Sequence, residues 1–364
     1  MENKICVYAI AKNEEAFAAR WYNSMKEADK VVVLDTGSSD GTIELLRELG
    51  AEVYEQTYET FRFDEARNDS LKYVPDEYNI RVCTDLDELF EPGWAEILRQ
   101  EWNPEIHHWA EYMYTHDHLE TGENGFSFIL NKIHGPGFHW EHAVHEHLYP
   151  DELLQQENAL HLEDKIHLHH YPDKEKSRTQ YLNLLETRLK EEPENFFGYV
   201  QYALELEAHN RYEEAISCAN FILDNFTIPN PIESAGLYCH IGENYKSLGQ
   251  PQKAIAAYSQ GIFVDPEYRE NYFCLARLYY DLQMFDMAIG VLEEMFIKSK
   301  RKYHWLEGVN SWASSPYSLL ALCYGEKGNY EKAVLNTCKA LAFEPNHPEL
   351  QQQYSWYLEK TFNN

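Results

Sequence analysis

The first half of the chain alternates short apolar runs with amphipathic segments of helical period. Runs rich in Val, Ile and aromatic residues predict strands, and the segments between them predict helices. The predicted strands cover residues 4–12, 30–37, 51–58 and 79–87, and the predicted helices cover residues 14–28, 40–50 and 64–74. Because nearly continuous apolar strands alternate with helices, we expect an α/β domain with a mostly parallel sheet covered on both faces.

From about residue 176 onward, the pattern becomes almost entirely helical and repeats itself. Residues 235–266 and 314–345 carry small and aromatic residues at the spacing of tetratricopeptide repeats. Looser copies centre on Ala215 and Ala288, and a last helix at about 348–362 is expected to cap the array. The predicted domains are residues 1–175 for the α/β domain and 176–364 for the all-α tetratricopeptide-repeat domain.

Charge and composition narrow the class of protein. The 364 residues include 31 Lys and Arg against 61 Asp and Glu, a formal net charge of −30. Because this net charge repels other polyanions, we do not expect the chain to bind nucleic acid or anionic lipid through general electrostatic attraction. No apolar run reaches the length of a membrane-spanning helix, and the seven cysteines include no C-x-x-C pair. We therefore expect a cytoplasmic protein with no nucleic-acid partner and no membrane span.

Polar side chains follow three of the predicted strands at the point where each strand ends. Asn13 comes just after the first strand, Asp35 ends the second, and Asp85 and Asp87 end the fourth. In an open parallel sheet, ligands bind outside the carboxyl ends of the strands. The sequence therefore predicts a ligand site at this edge, where Glu88 is expected to orient the two aspartates or the next turn.

Six segments of the first half form a recognisable combination: AIAKNEE (9–15), VVLDTGSSDGT (32–42), FDEARNDS (63–70), CTDLDELFEPG (83–93), GFHWEHAVHEHL (137–148) and LHHYPDKEKSRTQYL (168–182). Together these segments resemble the family-2 glycosyltransferases, which have the Rossmann-like GT-A fold. A family-2 domain that runs into tetratricopeptide repeats also resembles the bacterial peptide S-glycosyltransferases that modify glycocins.

The resemblance implies roles for the strand-end residues. Asp87 would bind a divalent cation, Mn²⁺ or Mg²⁺, and Asp85 would hold the ribose or the sugar of a nucleotide sugar. Asp35 would bind the base or the ribose. The other residues implied in nucleotide-sugar binding are Ala11, Asn13, Glu14, Asp40, Arg67 and Leu86. Two of these have plainer alternatives, since Asp40 would also serve as a helix cap and Arg67 as an ion-pair partner of Asp64.

Histidines concentrate after the acidic motif, where thirteen of the chain's seventeen fall between His107 and His170. The resemblance implies that His170 binds the metal and that His145 acts at the metal or the diphosphate. Relatives often carry an arginine before the motif V-H-E, and here Lys132 would supply that positive charge.

An inverting transfer needs a base that deprotonates the acceptor, and we expect Glu146, beside His145, to be that base. The alternative candidates in the same region are Asp117, Glu141 and Asp164.

These observations favour a metal-dependent inverting glycosyltransferase. The expected donor is a UDP-hexose such as UDP-glucose, and the expected acceptor is a side chain of a peptide or protein positioned by the repeats. A lipid-linked or envelope-polysaccharide acceptor, with the repeats forming a homodimer, is one alternative. A non-catalytic scaffold that binds sugar nucleotides is an alternative of another class, and the clustered carboxylates argue against it.

Overall fold

The computed structural model of the chain describes residues 3–116, 118, 127–151, 158–172, 181–228, 230–302, 304, 306, 308 and 310–363. The chain divides into two compact units, Met1–Glu191 and Glu192–Asn364. Among the described helices, none is both long enough and apolar enough to cross a membrane.

The first unit begins with the predicted alternation of strands and helices and continues into a region of strands. The early elements are β1 (Ile5–Ala11), α1 (Glu15–Met25), β2 (Lys30–Asp35), α2 (Thr42–Leu49), β3 (Glu52–Glu55), α3 (Phe63–Leu71), β4 (Ile80–Cys83), β5 (Glu88–Phe90) and α4 (Trp94–Glu101). The later elements are β6 (Trp109–Thr115), β7 (Ser127–His134), β8 (Phe138–Glu141), β9 (His147–Pro150), β10 (Ala159–His161), β11 (His167–His170) and α5 (Tyr181–Glu191).

Within the described residues, the strands form a large sheet in the order β3-β2-β1-β4-β7-β6-β11-β5, with β10 beside β6. The strands β3, β2, β1 and β4 are parallel, as the alternating sequence predicts. Beyond β4 the sheet becomes mixed, because β7 runs antiparallel to both β4 and β6, and β5 runs antiparallel to β11. A separate antiparallel pair is formed by β8 and β9. The prediction of a GT-A-like α/β domain is confirmed in this mixed form.

The central strand β1 is buried on both of its faces. Ile5 and Val7 join the core cluster that contains Trp21 of α1, whereas the alternate residues Cys6 and Tyr8 join a second cluster on the other side. Successive side chains of a strand point to opposite faces. The uninterrupted apolar run of β1 therefore reflects a strand with a core on each side.

The second unit consists of helices arranged in consecutive pairs that pack against each other. The paired helices are α6 (Phe196–Ala208) with α7 (Tyr212–Asn225), α8 (Pro231–Ser247) with α9 (Pro251–Val264), α10 (Arg269–Asp281) with α11 (Phe285–Lys298), and α12 (Ser315–Glu326) with α13 (Tyr330–Phe343). A final helix, α14 (Pro348–Asn363), packs on α13. The prediction of an all-α repeat domain is confirmed.

One small residue recurs at the same position of each second helix. Ala215, Ala254, Ala288 and Ala333 are all at most 1% exposed. A larger side chain at these points would push the two helices of a pair apart. The loose repeats centred on Ala215 and Ala288 therefore use the same close helix contact as the two strong repeats.

Candidate functional site

The carboxyl ends of β2, β1 and β4 lie side by side, because these strands are adjacent and parallel. The loop after β1 contains Asn13, and β2 ends at Asp35. The turn after β4 contains Asp85, Asp87 and Glu88, and we call these three residues the acidic edge. The convergence at one edge that the sequence predicts is present in the fold.

The loops after β1 and β2 are joined by side-chain hydrogen bonds. Asp35, 1% exposed, accepts hydrogen bonds from the backbone N–H groups of Gly37 and Ser38 at 2.9 and 2.8 Å. The Asn13 amide oxygen accepts the N–H of Ser39 at 2.8 Å. Asn13 has a φ of 57°, a left-handed conformation that asparagine tolerates better than most residues. Asp35 therefore holds the shape of its own loop, and Asn13 ties the loop after β1 to the loop after β2.

Asp40 links the starts of two helices. Its carboxylate accepts the N–H of Thr42 at 3.1 Å, the Thr42 hydroxyl at 2.5 Å and the N–H of Glu15 at 3.2 Å. Partial burial alone would raise the pKa of Asp40, but these hydrogen bonds lower it below its ordinary value. Asp40 thus stabilises the first turns of α1 and α2. This contact resembles the helix-cap role that the sequence offers as an alternative to nucleotide binding. The neighbouring Glu14 is buried, and its N–H donates to the Thr42 hydroxyl at 2.8 Å.

Arg67 of α3 is buried beneath the acidic edge. It is 2% exposed, donates from Nη2 to Asp85 Oδ1 at 2.7 Å and donates from Nε to Glu146 Oε1. Its guanidinium carbon lies 5.3 Å from the centre of the Trp140 ring. The alternative that Arg67 pairs with Asp64 is wrong, because Asp64 is paired with Arg62 instead.

Lys132 of β7 is the second cation at this site. Its Nζ atom lies 3.4 Å from Asp85 Oδ2 and 3.5 Å from Glu88 Oε1. Burial alone would lower the pKa of Lys132, but the charges of Glu88 and Asp85 raise it above its usual range. The positive charge that the sequence places at Lys132 therefore lies directly against the acidic edge.

Glu88 is the most buried carboxylate of the acidic edge. It is 1% exposed, and its Oε2 atom accepts the N–H of Asp85 at 2.9 Å. Burial raises the pKa of Glu88 above its ordinary value. Burial would also raise the pKa of Asp85, but the charges of Arg67 and Lys132 hold it well below its usual range. Glu88 therefore orients the turn, while Asp85 keeps its charge.

The charges of the site do not balance. Two cations, Arg67 and Lys132, pair with the carboxylates of Asp85, Glu88 and Glu146. A fourth carboxylate, that of Asp87, lies against His170. Two formal negative charges remain before His170 is counted, which equals the charge that a divalent cation neutralises. Sequence reasoning noticed the crowded acids but did not foresee that internal cations offset half of their charge.

His170 and Asp87 form the pair that could hold such a cation. Nδ1 of His170 lies 2.8 Å from the carbonyl oxygen of His116, and Nε2 lies 3.3 Å from Asp87 Oδ2. A carbonyl oxygen only accepts, so Nδ1 carries a proton and Nε2 faces the carboxylate. Burial alone would lower the pKa of His170, but its hydrogen bond to Asp87 raises it.

The spacing of this pair fits two neighbouring ligands of an octahedral ion, which lie about 3 Å apart when the bonds are about 2.1 Å long. The backbone of Asp87 is also fixed, because its carbonyl oxygen accepts the N–H of Tyr171 at 2.8 Å. Among the described residues, Asp85, Asp87 and His170 do not form a group whose three ligand atoms all lie within 4.8 Å. The arrangement therefore offers two protein ligands and leaves the other positions to substrate oxygens and water.

The remaining candidates lie near the β8–β9 pair. Glu146 is held by Arg67, whereas the ring of His145 lies against Tyr181 of α5, with 6.0 Å between the ring centres. Of the alternative bases, Glu141 pairs with His139 at 2.8 Å, and Asp164 is exposed in a turn. Asp117 lies outside the described residues. Glu146 is thus the base candidate that contacts the same buried arginine as Asp85.

Two further candidates for nucleotide-sugar binding lie in the apolar core rather than in a polar site. The side chain of Leu86 is 2% exposed and belongs to the main core cluster, as does Ala11 at the end of β1. Sequence reasoning missed Trp140, which packs beneath Arg67, and Cys83, whose sulfur lies 3.1 Å from Arg67 Nη1. A buried thiol at the end of a strand gives no sequence signal for such a contact.

The fold and the site together define a protein with a GT-A-like domain followed by tetratricopeptide repeats. Residues 6–105 match the model of glycosyl transferase family 2. Residues 235–268 and 314–347 match a tetratricopeptide repeat model, in agreement with the two strong repeats. These matches place the family-2 similarity on the part of the chain that contains Asp35, Arg67 and the acidic edge.

Individual relatives cover smaller parts of the chain or show low identity. An uncharacterized glycosyltransferase of Rickettsia typhi is 47% identical over 51 residues, which are 14% of this chain and 18% of that protein. The chain therefore matches less than a fifth of the length of that curated relative. A thermophilic TPR protein of Thermus thermophilus covers 49% of this chain and 88% of its own at 20% identity and a TM-score of 0.36. A MamA structure covers 48% and 96% at 22% identity and a TM-score of 0.37.

Proposed function

We propose that the protein is a metal-dependent inverting glycosyltransferase that moves a sugar from a nucleotide sugar to an acceptor. The observation that carries this proposal is the acidic edge, which lies within the segment that matches glycosyl transferase family 2. Together with Glu146, its three carboxylates exceed the two cations Arg67 and Lys132 by two formal negative charges. The relative in Rickettsia typhi, which is described as a glycosyltransferase, supports the same reaction class.

Asp87 and His170 would hold Mn²⁺ or Mg²⁺. When bound, this cation neutralises charge on the diphosphate that leaves with the nucleotide. Hard divalent cations prefer carboxylate, phosphate and water oxygens, and they accept an imidazole as a further ligand. His170 is prepared for this role because its Nδ1–H is held by the His116 carbonyl, which directs Nε2 toward Asp87.

Asp85 would bind the hydroxyl groups of the ribose or of the transferred sugar. Arg67 and Lys132 fix its two oxygens from below, so that its remaining lone pairs point in defined directions. The loops of Asn13 and Asp35 would receive the base. Because their side chains already hold these loops, the base would bind mainly to loop backbone groups in a preformed shape.

Glu146 would accept the proton of the attacking acceptor group. Its Oε1 atom is fixed by Arg67, which leaves Oε2 available for that proton. His145, on the same turn, would line the acceptor side of the site next to Tyr181. For a thiol acceptor, the demand on this base is smaller, because thiolates form more readily than alkoxides.

We propose a UDP-hexose such as UDP-glucose as the donor and a peptide or protein side chain as the acceptor. The support for a polypeptide acceptor is the repeat domain, because arrays of this kind create extended concave surfaces that bind polypeptides. Transfer to a lipid-linked saccharide instead of a peptide would overturn the acceptor part of the proposal and leave the donor part intact.

Calorimetry with UDP and Mn²⁺ tests the donor site. We expect UDP binding that needs the metal and that is lost in Asp87→Asn, with UDP-sugar hydrolysis lost in parallel. Asp76→Asn is the matched control, since Asp76 is a fully exposed aspartate of the same domain. If Asp87→Asn binds UDP and Mn²⁺ as well as the unchanged protein does, the metal assignment is wrong. If the unchanged protein binds no UDP with or without metal, the transferase proposal is wrong.

A further inference from the structure

The strand β11 carries histidines on both of its faces. Successive residues of a strand alternate, so His170 shares one face with Leu168, while His167 and His169 share the other. Leu168 pairs with Phe90 of β5, and the N–H of Glu91 donates to the carbonyl oxygen of His167 at 3.0 Å. Glu91 therefore lies opposite His167 on the neighbouring segment, on the sheet face away from His170.

Glu91, His167 and His169 bring three ligand atoms together. One atom from each side chain lies within 4.8 Å of the others, and no second group of this kind occurs in the described part of the chain. His169 Nε2 is 3.1 Å from Glu91 Oε1, and His167 Nδ1 is 3.8 Å from the same oxygen. A tetrahedral zinc with bonds of about 2.0–2.1 Å needs ligand atoms about 3.3 Å apart. The observed spacings bracket that value.

A neighbouring hydroxyl group orients one of the imidazoles. His167 Nε2 lies 2.7 Å from Thr115 Oγ1, which in turn lies 2.8 Å from Ser127 Oγ. The Thr115 hydroxyl has a single proton. When it donates this proton to Ser127, its oxygen accepts the Nε2–H of His167. His167 Nδ1 is then unprotonated, and its lone pair faces Glu91. Ligating histidines are held in this way by a hydrogen bond from the other ring nitrogen.

The second imidazole is restricted by burial. Nδ1 of His169 is buried and has no hydrogen-bond partner within the described residues. The contact with Glu91 is thus made by Nε2, on the open side of the ring. The side chain of Glu91 is 61% exposed, whereas those of His167 and His169 are 20% and 13% exposed. An ion would reach this cluster from the solvent past Glu91.

We propose that Glu91, His167 and His169 form a second metal site, which takes a zinc-class divalent ion and ties β5 to β11. The donor set has two imidazoles and one carboxylate, which suits zinc and its neighbours better than Mg²⁺. The site lies on the sheet face opposite His170 and the acidic edge. The ion held there would fix the strand that presents His170, without contacting the sugar donor.

Zinc titration of the full-length chain, stripped of metal by a chelator, tests the site. We expect binding of one zinc ion per chain, weakened at least tenfold by Glu91→Gln and by His169→Gln. Glu91 is mostly exposed, so its substitution should leave the fold intact, as a circular dichroism spectrum would verify. Cobalt loading gives a second readout, because a tetrahedral cobalt site absorbs visible light strongly and Glu91→Gln should remove this absorption.

Two control variants separate this site from other metal binding. His161→Gln removes a comparable His–Glu pair of the same sheet, in which His161 Nδ1 lies 2.9 Å from Glu111 Oε2. Asp87→Asn removes the cation ligand of the proposed donor site. Both variants should keep the zinc affinity of the unchanged protein. Zinc binding that survives Glu91→Gln and His169→Gln, that disappears in Asp87→Asn, or that is absent from the unchanged protein would overturn the proposal.

Discussion

Arg67→Met gives the sharpest test of how the site is built. The substitution keeps an apolar stem of similar length and removes the charge that pairs with Asp85 and Glu146. Removing one partner of a buried ion pair costs about 3–5 kcal/mol, because the other charge stays buried and unpaired. Asp85 would retain Lys132, so we expect a loss near the lower value, about 3 kcal/mol.

Hydrogen exchange of peptides from β1 and β4, measured as a function of urea, reports the free energy of unfolding of the first unit in the whole chain. The matched control is Arg62→Met. Arg62 also pairs with carboxylates, Asp64 at 2.8 Å, Glu191 at 2.6 Å and, more distantly, Glu65 at 3.7 Å. Its side chain is 20% exposed, against 3% for Arg67. For this more exposed arginine, we expect a smaller loss than for Arg67→Met, because solvent screens its charge more strongly.

The effect of Arg67→Met should also depend on pH. Arg67 and Lys132 hold the pKa of Asp85 below its unfolded value of about 4. Asp85 therefore contributes stability that is present above about pH 4 and is lost as the pH falls further. The difference between Arg67→Met and the unchanged protein should shrink in that acid range. Equal losses for Arg67→Met and Arg62→Met at pH 7 would refute the view that Arg67 is a buried counter-charge.

Three other substitutions test the two units separately. Burial lowers the pKa of His134 to about 3. Between about pH 6.5 and 3, His134 is therefore protonated in the unfolded chain but neutral in the folded chain. Stability should fall by up to about 1.4 kcal/mol per pH unit in that window, and urea unfolding of His134→Gln should show a flatter pH dependence; an unchanged slope would contradict the reasoning. In the repeats, a Cβ atom on Gly242 would overlap the Tyr258 ring, whereas one on Gly290 would meet nothing within 4 Å. Gly242→Ala should therefore destabilise the repeat domain by about 1–3 kcal/mol, whereas Gly290→Ala should stabilise it by about 0.5–1 kcal/mol. Thermal unfolding measures both changes, and shifts of the same sign would refute the close contact at Gly242.

The parts of the fold that rest on local periodicity could be predicted from the sequence. The parallel strands β1 to β4 and the paired helices of the repeats follow from apolar runs and from recurring alanines such as Ala254 and Ala333. The mixed part of the sheet could not be predicted. The strands β5 and β11 are short, and β5 pairs with a strand almost eighty residues further along the chain. No local pattern encodes that register.

For the site, the sequence predicted which carboxylates converge but not what surrounds them. Asp85 and Asp87 were singled out by their place at the end of a strand. Their partners Arg67 and Lys132 come from a helix and from an antiparallel strand. Only the three-dimensional fold brings these two cations to 2.7 and 3.4 Å from the Asp85 carboxylate. The two faces of β11 were equally hidden, since the letters HLHH separate into different environments only when the pairing of the strand is known.

The helix α5 has a consequence for how such proteins can recombine. Arg188 of α5 is 1% exposed, and its Nη1 atom lies 3.3 Å from the carbonyl oxygen of Val144 and 3.5 Å from that of His145. The backbone just before Glu146 is therefore held by a side chain more than forty residues later. If the first unit were exchanged between proteins by gene fusion, it would need to carry this helix, up to Glu191, to keep the turn that presents Glu146.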